Sequence, residues 1–348
     1  MKKKNPTTIK DIAAKVGVSA TTVSMVLNNP ETPRVSKERR RQVLKACEEL
    51  DYRPNFAARM LQKKESNIIG LTVESLKNPF FSELAQGVVQ RAKELGYSVL
   101  LASVKGGIED QRSSIRNLLD YGVDGLILSS VFLDDPCIEE LFEMDVPFLL
   151  SLRQLRKTDS RRAYNFVGVD NYKGSCEIIE HLASLGHTSF QVLAGPQNVS
   201  TGYNRLLGTL DTFDKLGLDF DRDTSLRISD DFYKESGMRF AADLVKGGEL
   251  PSAIVAHSDY LAIGVITALL DAGYRVPEDV AVVGFDNIEM SSLPGVSLTS
   301  VSHNKNQVGY SSVDLLLKTI KTRQIQQMIL DPHVIVRNSS ALPLRFRK

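Results

Sequence analysis

Cysteine is scarce in this chain. Its 348 residues include only three, Cys47, Cys137 and Cys176, which are odd in number and far apart. Cysteines of this kind form neither a disulfide framework nor the closely spaced ligand set of a structural metal site. We expect all three to be small buried hydrophobic residues in a reducing compartment, and we expect no bound metal.

Long hydrophobic runs are also missing. No apolar stretch approaches the ~18 residues that a membrane-spanning helix needs. The N-terminal sequence MKKKNPTTIKD is basic, but no apolar segment follows it as in a secretory signal. These absences argue against a membrane partner and predict a cytoplasmic protein.

Motifs typical of catalysis are absent as well. No GxGxxG follows the first predicted strand, and neither a phosphate-binding GxxxxGKS or GxxxxGKT nor a zinc-binding HExxH occurs. The five histidines, at positions 181, 187, 257, 303 and 333, are scattered and have no partner serine or cysteine motif. We therefore predict a protein that is not an enzyme and uses no cofactor, and a dinucleotide-binding dehydrogenase becomes the weaker interpretation.

Charge, in contrast, is plentiful and unevenly distributed. The formal net charge of +1 hides 15 Lys and Arg against 7 Asp and Glu in residues 1–65. The remaining residues hold 28 basic and 35 acidic side chains. A basic N-terminal segment of +8 on an acidic remainder of −7 favours contact with a polyanion, although a solvated basic surface is the alternative.

The segment TTIKDIAAKVGVSATTVSMVLNN predicts two helices joined by a tight turn. Thr8 and Asp11 have the spacing of a capping box, and Gly17 ends the first helix by reaching the left-handed conformation. Ser19 is placed to cap the second helix. A third helix is predicted in RVSKERRRQVLKACEELDY, capped by Ser36 and with four inward residues, Val43, Leu44, Cys47 and Leu50.

The two faces of the second predicted helix differ. Val23, Val26 and Leu27 fall on the side that faces the core, whereas Thr21, Met25 and Asn28 fall on the other at spacings of i, i+4 and i+7. Helix, glycine turn and helix, followed by a basic third helix, is the helix-turn-helix pattern, whose second helix enters the DNA major groove. The alternative is a plain three-helix bundle, and the basic charge favours DNA binding.

Three consecutive elements carry a family resemblance. TIKDIAAKVGVSATTVSMVLN, then VS, then LDYRPNFAARMLQ resemble the LacI-type bacterial transcription regulators in order and spacing. The resemblance implies that Ala20, Thr21 and Met25 discriminate bases and that Thr22 and Ser24 bind phosphates. It extends the set of DNA-contacting residues to Thr8, Ser19, Asn28, Arg34, Asn55, Ala58 and Leu61, with Asn28 serving either as a phosphate contact or as a helix cap.

Two departures from the family pattern lie in the same region. The turn NNPETPRVS is longer than usual and contains Pro30 and Pro33. Met25 stands where relatives often carry a polar side chain, and methionine cannot form a bidentate bond to guanine. We expect Met25 to contact a thymine methyl group or to exclude water, so the resemblance leaves the operator base at that position open.

The stretch YRPNFAARMLQKKES predicts a short helix from Asn55 to Gln62 that begins after Pro54. Eight residues are too few for a stable isolated helix, because helices below ~12–15 residues are marginal in water. The resemblance implies a hinge helix that folds against its dimer mate in the minor groove, with Leu61 as the wedge that kinks the duplex and Ala57 and Ala58 allowing close approach. From the residues alone, a polar linker is the alternative.

From Ile68 onward, short apolar runs alternate with amphipathic helical stretches. The runs are IIGLTV, SVLLAS, GLILSS, PFLLSL, FVGVD, FQVLAG, AIVAH and VAVVGFD. This alternation predicts doubly wound parallel sheets with helices on both faces, in two subdomains. We divide the chain into a helix-turn-helix domain at 1–53, a hinge at 54–65 and an effector and dimerisation domain at 66–348. Its N-subdomain spans about 66–168 plus 300–328, and its C-subdomain about 169–299 plus 329–348.

Ligands of such sheets bind at the carboxyl ends of the strands. Six residues fall there: Phe80, Phe81, Thr201, Arg205, Asp259 and Asp286. Aromatic side chains stack on sugar rings or bases, and Arg and Asp hold neighbouring hydroxyls, although core packing and a structural Arg–Asp pair are the alternatives. The body resembles the periplasmic-binding-protein-like domain of the same family, which implies that these residues line an effector pocket.

The resemblance also bears on the effector. Leu152 stands where relatives often have an aspartate, with Arg153 next, and Val199 stands where the purine-responsive member has an arginine. These residues favour a sugar over a nucleobase, and Arg153 could admit a phosphorylated or acidic ligand. An exported or cytosolic solute-binding protein is the competing class, but it has no need of a basic helical head.

The sequence therefore predicts a transcriptional repressor of the LacI type. Its expected partners are double-stranded operator DNA of palindromic sequence and a small-molecule effector, with the chain acting as a homodimer or as a dimer of dimers. The C-terminal LPLRFRK contains no leucine heptad, so we expect no coiled-coil tetramerisation tail.

Overall fold

The computed structural model describes residues 7–28, 34–52, 65–156, 162–302, 304–343 and 346. It divides the chain into two compact units, Met1–Ser66 and Asn67–Lys348, which we call the head and the body. No helix in the described part of the chain is long and apolar enough to cross a membrane.

The first helix of the head, α1 (Ile9–Val16), starts at the predicted capping box. The Asp11 carboxylate accepts hydrogen bonds from the backbone N–H and the hydroxyl of Thr8, both at 2.7 Å. The helix ends at Gly17, whose φ of 70° lies in the left-handed region. Both predicted ends of this helix are confirmed.

The other two helices of the head are α2 (Ala20–Asn28) and α3 (Lys37–Glu49). Ser19 Oγ accepts from the backbone N–H of Thr22 at 3.1 Å, and Ser36 Oγ accepts from that of Arg39 at 3.3 Å. These bonds satisfy N–H groups that the first turn of a helix leaves free. The two predicted serine caps are confirmed.

A small apolar core joins the three helices. Ile12, Val23 and Val43 are fully buried in it, one from each helix. The prediction that Leu44 points inward was wrong, because its side chain is 45% exposed. Ala46 takes the inward position instead, since residues three apart, such as Val43 and Ala46, lie on the same helix face.

The body contains two six-stranded sheets. The first sheet consists of β1 (Ile68–Val73), β2 (Ser98–Ser103), β3 (Gly125–Leu128), β4 (Phe148–Ser151), β5 (Asn165–Val169) and β11 (Gln327–Leu330). Its strand order is β11-β5-β4-β3-β1-β2, and every pair is parallel. The strands β3, β4 and β5 are buried throughout, as apolar strands covered on both faces must be.

The second sheet consists of β6 (Phe190–Ala194), β7 (Leu226–Ile228), β8 (Ala253–Ala256), β9 (Ala281–Phe285), β10 (Thr299–Ser302) and β12 (His333–Ile335). Its order is β12-β10-β9-β8-β6-β7. The β10–β12 pair is antiparallel and the others are parallel. The predicted alternating α/β fold with two parallel-sheet subdomains is confirmed.

Helices cover both sheets. They are α4 (Pro79–Glu94), α5 (Ile108–Asp120), α6 (Pro136–Glu143), α7 (Asn171–Ser184), α8 (Ser200–Leu216), α9 (Arg222–Ser225), α10 (Lys234–Gly247), α11 (Asp259–Asp271) and α12 (Lys305–Thr322). The backbones of α4 and α12 approach closely at two glycines. A Cβ atom added at Gly309 would lie 2.9 Å from the carbonyl oxygen of Leu84, and one at Gly87 would lie 3.2 Å from that of Asn306.

The chain passes between the two sheets after β5, after β10 and after β11. These crossings differ from the predicted subdomain boundaries. Residues 300–302 were assigned to the N-subdomain, but Thr299–Ser302 forms ladder bonds with β9 and β12 of the second sheet. Likewise, β11 of the first sheet continues to Leu330, beyond the predicted boundary at 328.

Candidate functional site

A cavity lies where the carboxyl ends of strands from both sheets meet. The first-sheet subdomain contributes the residues that follow β1 and β4 and the start of α4, and the second-sheet subdomain contributes residues of α7 and α8 and those that follow β9. The lining residues are Asn78, Phe80, Phe81, Leu152, Arg153, Val169, Asn171, Thr201, Arg205, Phe232 and Asp286. The cavity is therefore enclosed by apolar and aromatic walls with a few convergent polar groups, as small-molecule sites commonly are.

Arg205 is the most heavily bonded side chain of this cavity. It is 5% exposed, and its Nη2 atom lies 2.9 Å from Asp286 Oδ1. Its Nε atom donates to Asn171 Oδ1 at 2.8 Å, and its Nη1 atom donates to the carbonyl oxygen of His257 at 2.5 Å. The guanidinium also stacks 3.7 Å above the centroid of the Phe285 ring. All three nitrogen atoms therefore have protein partners, and the orientation of the guanidinium is fixed.

Asp286 follows β9 in a strained backbone conformation. Its φ of 111° lies in a region that L-residues seldom adopt. The N–H of Asp286 donates to the carbonyl oxygen of Val301 at 2.8 Å, and the carbonyl oxygen of Asp286 accepts from Lys305 Nζ at 3.0 Å. Burial raises the pKa of the Asp286 carboxyl, while the adjacent Arg205 guanidinium and Lys305 oppose that rise. The loop thus turns this carboxylate toward Arg205.

Five of the six residues predicted for the effector pocket line the cavity together. They are Phe80, Phe81, Thr201, Arg205 and Asp286. The rings of Phe80 and Phe81 pack edge to face with centroids 5.2 Å apart, and both side chains are buried.

Asp259, the sixth predicted residue, is not among the cavity-lining residues. It is fully buried behind the strand ends, where its Oδ2 atom accepts from the N–H of Ile288 at 2.9 Å and its Oδ1 atom accepts from Ser300 Oγ at 2.5 Å. Burial, with the nearby Asp286 charge, raises the pKa of Asp259 to about 8. This aspartate supports the loop that presents Asp286 from outside the cavity lining, and its role in effector binding stays a prediction.

Three polar or aromatic wall residues were not singled out from the sequence. Asn78 caps α4 by accepting from the N–H of Phe80 at 3.1 Å, and Asn171 orients Arg205. Phe232 lies in the segment before α10. Asn78 and Asn171 lie within a few residues of the carboxyl ends of β1 and β5, so the sequence could have predicted them as cavity residues. The sequence around Phe232 contains no feature that predicts such a position.

In the head, the residues predicted to contact DNA occupy the start and the outer side of α2. Thr21 is exposed, and Ala20, Thr22, Ser24 and Met25 are partly exposed. The Ser19 and Thr22 hydroxyls lie 2.9 Å apart, so the cap of this helix also orients Thr22. Thr8 is exposed within its capping box, and Arg34 is exposed before α3. The side chain of Asn28 and the whole of Asn55, Ala58 and Leu61 lie outside the described residues.

The described residues contain no group of three or more His, Cys, Asp or Glu side chains that could hold a metal ion. The polar side chains that line the cavity are Arg, Asp, Asn and Thr, which form hydrogen bonds and ion pairs.

Both the head and the body are similar in sequence to bacterial regulatory proteins. A model of bacterial regulatory proteins of the lacI family matches residues 8–55, and a periplasmic binding protein-like domain matches residues 179–340. The HTH-type transcriptional regulator DegA of Bacillus subtilis (strain 168) is 31% identical over 340 residues, which cover 96% of this chain and 98% of DegA.

Two solved structures resemble the whole chain. The lac repressor dimer bound to operator and the anti-inducer ONPF has a TM-score of 0.86 at 30% identity, covering 97% of this chain and 100% of the repressor chain. The complex of the transcriptional regulator CelR with cellobiose has a TM-score of 0.71 at 29% identity, covering 96% and 99% of the two chains.

Proposed function

The chain belongs to the LacI family of bacterial regulatory proteins, DNA-binding transcriptional regulators with an effector domain, and from this premise we propose that it is a cytoplasmic repressor. In this proposal a homodimer binds palindromic operator DNA through its two heads. A sugar or sugar derivative in the body cavity controls that binding. The similarity to an operator-bound repressor dimer and to a cellobiose-bound regulator supports both parts.

The observation that carries the effector proposal is the buried Arg205–Asp286 pair in a cavity walled by Phe80 and Phe81. Neighbouring hydroxyl groups of a sugar both donate and accept hydrogen bonds. A carboxylate accepts from them and a guanidinium donates to them, while aromatic walls pack against the apolar face of the ring. We infer that Asp286 and Thr201 face the hydroxyl groups of the ligand.

Binding is expected to change how the two subdomains close on each other. Direct hydrogen bonds already bridge them beside the cavity: the N–H of Leu133 donates to the carbonyl oxygen of Asn198 at 2.9 Å, and the N–H of Gln154 donates to Ser200 Oγ at 2.8 Å. A ligand that fits one closure better than another shifts the population of that closure. The operator affinity then changes through the hinge at residues 54–65, where Leu61 is proposed to wedge into the minor groove.

The head is proposed to read the major groove with Ala20, Thr21 and Met25. Thr8, Ser19, Thr22, Ser24, Asn28 and Arg34 would contact the phosphate backbone, and Asn55 and Ala58 would support Leu61 in the minor groove. This division follows the general rule that phosphate contacts set the register and base contacts set the specificity.

The test combines a ligand screen with operator binding. The melting temperature of the full chain is measured against monosaccharides, disaccharides, sugar phosphates and purines. A ligand at 100 times its Kd should stabilise the body by about 2.7 kcal/mol, which corresponds to a shift of a few degrees. Active ligands are then added to the protein on its operator, in wild type and in Asp286→Asn. We expect a sugar to change operator affinity in wild type only.

A matched control is Asp145→Asn, which alters an exposed carboxylate paired with Arg323; Asp145 precedes β4, whereas the cavity lies at the carboxyl end of that strand. It should respond to the sugar as wild type does. A full response in Asp286→Asn, or a response to purines alone, would contradict the proposed effector site and class. Unchanged operator affinity and bend angle in Leu61→Ala would contradict the wedge.

A further inference from the structure

Arg153 brings a second guanidinium to the effector cavity. It follows β4 directly after Leu152, whose φ of 69° turns the chain sharply at the strand end. The Arg153 N–H donates to the carbonyl oxygen of Ser151 at 2.8 Å, which closes this turn. As a result the side chain, 5% exposed, forms part of the cavity wall.

The two arginines of the cavity differ in how fully they are bonded. Arg205 uses all three of its nitrogen atoms on protein acceptors. Arg153 donates through Nη2 to Glu74 Oε2, and its Nε and Nη1 atoms have no hydrogen-bond partner among the described residues. Its guanidinium carbon lies 5.9 Å from the centroid of the Phe81 ring, so the aromatic wall fixes its position. Arg153 therefore lines the cavity with a buried guanidinium that uses only one of its three nitrogen atoms on a described protein acceptor.

The partner of Arg153 sits in a different environment. Glu74 follows β1, is not among the cavity-lining residues, and its side chain is 20% exposed, against 5% for that of Arg153. In the Arg205–Asp286 pair, by contrast, both side chains are 6% exposed. The Glu74 carboxylate can therefore leave Arg153 for water with less rearrangement of the surrounding side chains than Asp286 would need, because water already reaches it.

The net charge of the two arginine–carboxylate pairs limits which ligand groups can bind Arg153. Each cavity arginine is matched by one carboxylate, so adding an anion to the intact cavity would leave a buried excess negative charge, which is costly. If the anion takes the place of Glu74 on Arg153, the balance is kept and the carboxylate that leaves is the partly solvated one. An ionised acceptor also forms stronger bonds to a guanidinium than a hydroxyl group does.

We propose that the effector carries an anionic group, a carboxylate or a phosphate, that binds Arg153 in place of Glu74. The rest of the ligand then occupies the space between Phe80, Thr201 and Asp286. This inference rests on the proposed function, since it takes the cavity to be the effector site, and it narrows the ligand to an acidic sugar derivative.

The first experiment uses inorganic phosphate and acetate as probes of the full chain. Melting temperatures are measured in each salt against sodium chloride at equal ionic strength, for wild type, Arg153→Gln and Glu74→Gln. We expect either anion to raise the melting temperature of wild type and to raise that of Glu74→Gln further, because the competing carboxylate is gone. The Arg153→Gln variant should show no anion-specific rise, and Arg153→Lys should keep part of it.

Anion sites in the head are unaffected by these substitutions, so only the difference between variants is scored. Equal rises in wild type and Arg153→Gln, or none in any variant, would overturn the proposal. Far-ultraviolet circular dichroism of Arg153→Gln shows whether it is folded, and Glu74→Gln provides an independent test if it is not. If the anions raise the melting temperature of Glu74→Gln no more than that of wild type, the anion does not replace Glu74 on Arg153.

The second experiment compares matched trios of one hexose: the neutral sugar, its uronate and its 6-phosphate. We expect one acidic member to bind at least tenfold more tightly than the neutral sugar, and the identity of that member distinguishes carboxylate from phosphate. Arg153→Gln should abolish the tenfold preference. A neutral sugar that binds as tightly, and controls operator binding through Asp286, would defeat this inference and leave the proposed function standing.

Discussion

The Nη2 atom of Arg205 lies 2.9 Å from Asp286 Oδ1, and these two side chains, 81 residues apart in the chain, are each only 6% exposed. Removing one partner of such a pair leaves an uncompensated buried charge, which usually destabilises a protein by about 3–5 kcal/mol. We expect Arg205→Met to lower the free energy of unfolding of the body by this amount at neutral pH. Urea unfolding followed by circular dichroism measures it.

The double variant Arg205→Met with Asp286→Leu serves as the control for this pair. Because both charges are gone, it should recover most of the loss. Arg323→Ala breaks the exposed pair with Asp145 and should cost at most about 1 kcal/mol. A single Arg205 variant no less stable than Arg323→Ala would show that the buried pair contributes little.

Two glycines set the distance between α10 and α11. A Cβ atom at Gly264 would lie 2.0 Å from the carbonyl oxygen of Lys234, and one at Gly237 would lie 2.1 Å from that of Leu261. Backbone atoms cannot yield locally, so Gly264→Ala forces the helices apart. We expect a loss of about 1–3 kcal/mol or more in urea unfolding.

Gly247, at the end of α10, is the matched control for this effect. No atom lies within 4 Å of the position of its Cβ. Alanine there should be neutral or stabilise the helix by up to about 0.5–1 kcal/mol. Equal losses in the two alanine variants would mean that helix separation is not what Gly264 controls.

His257 makes stability depend on pH. Burial lowers the pKa of its imidazole to about 3, against about 6.5 in an unfolded chain. Below pH 6.5 the His257 imidazole therefore binds a proton in the unfolded state but stays neutral in the folded state. The free energy of unfolding consequently falls as the pH falls. We expect wild type to lose about 2 kcal/mol relative to His257→Gln between pH 7.5 and pH 5.

The comparison with His257→Gln isolates this group from the others. Burial also lowers the pKa of His181 and His187, and it raises that of Asp259, whose effect has the opposite sign over the same range. These groups titrate alike in wild type and variant, so their contributions cancel. Parallel stability curves for the two proteins from pH 5 to 7.5 would exclude the expected role of His257.

Met25 is expected to set base preference at one operator position. It lies one turn after the exposed Thr21 on α2, and its thioether has no donor for the guanine edge. We expect Met25→Arg to shift preference at that base pair from thymine to guanine by about 1–3 kcal/mol. Fluorescence anisotropy with a set of single-base operator variants measures the shift.

Ser24→Ala is the control for base reading. If Ser24 contacts phosphate as proposed, this change should weaken binding to all operator variants about equally. A Met25→Arg variant that weakens binding uniformly, with no change of preferred base, would place Met25 outside the groove.

The local sequence accounts for the features that depend on neighbouring residues. The caps at Thr8, Ser19 and Ser36 and the turn at Gly17 were all predicted, because each is formed within a few residues of itself. The long buried strands were predicted for the same reason, since parallel strands covered on both faces need continuous apolar runs. The strands β7, β10, β11 and β12 were missed, because each of their short sequences LRI, TSVS, QMIL and HVI contains polar residues and pairing with distant strands decides them.

Only the tertiary structure decided which strand-end residues share a cavity. Five predicted residues line it together, but Asp259, which lies three residues after β8, binds Ile288 and Ser300 instead. Leu44 looked inward by periodicity and is exposed, because the face of α3 that packs was set by the other two helices. The contact of Arg153 with Glu74 spans 79 residues, and only the sheet brings the ends of β4 and β1 close together. The sequence determined the elements and the chemistry available at their ends, and long-range packing determined which side chains could act together.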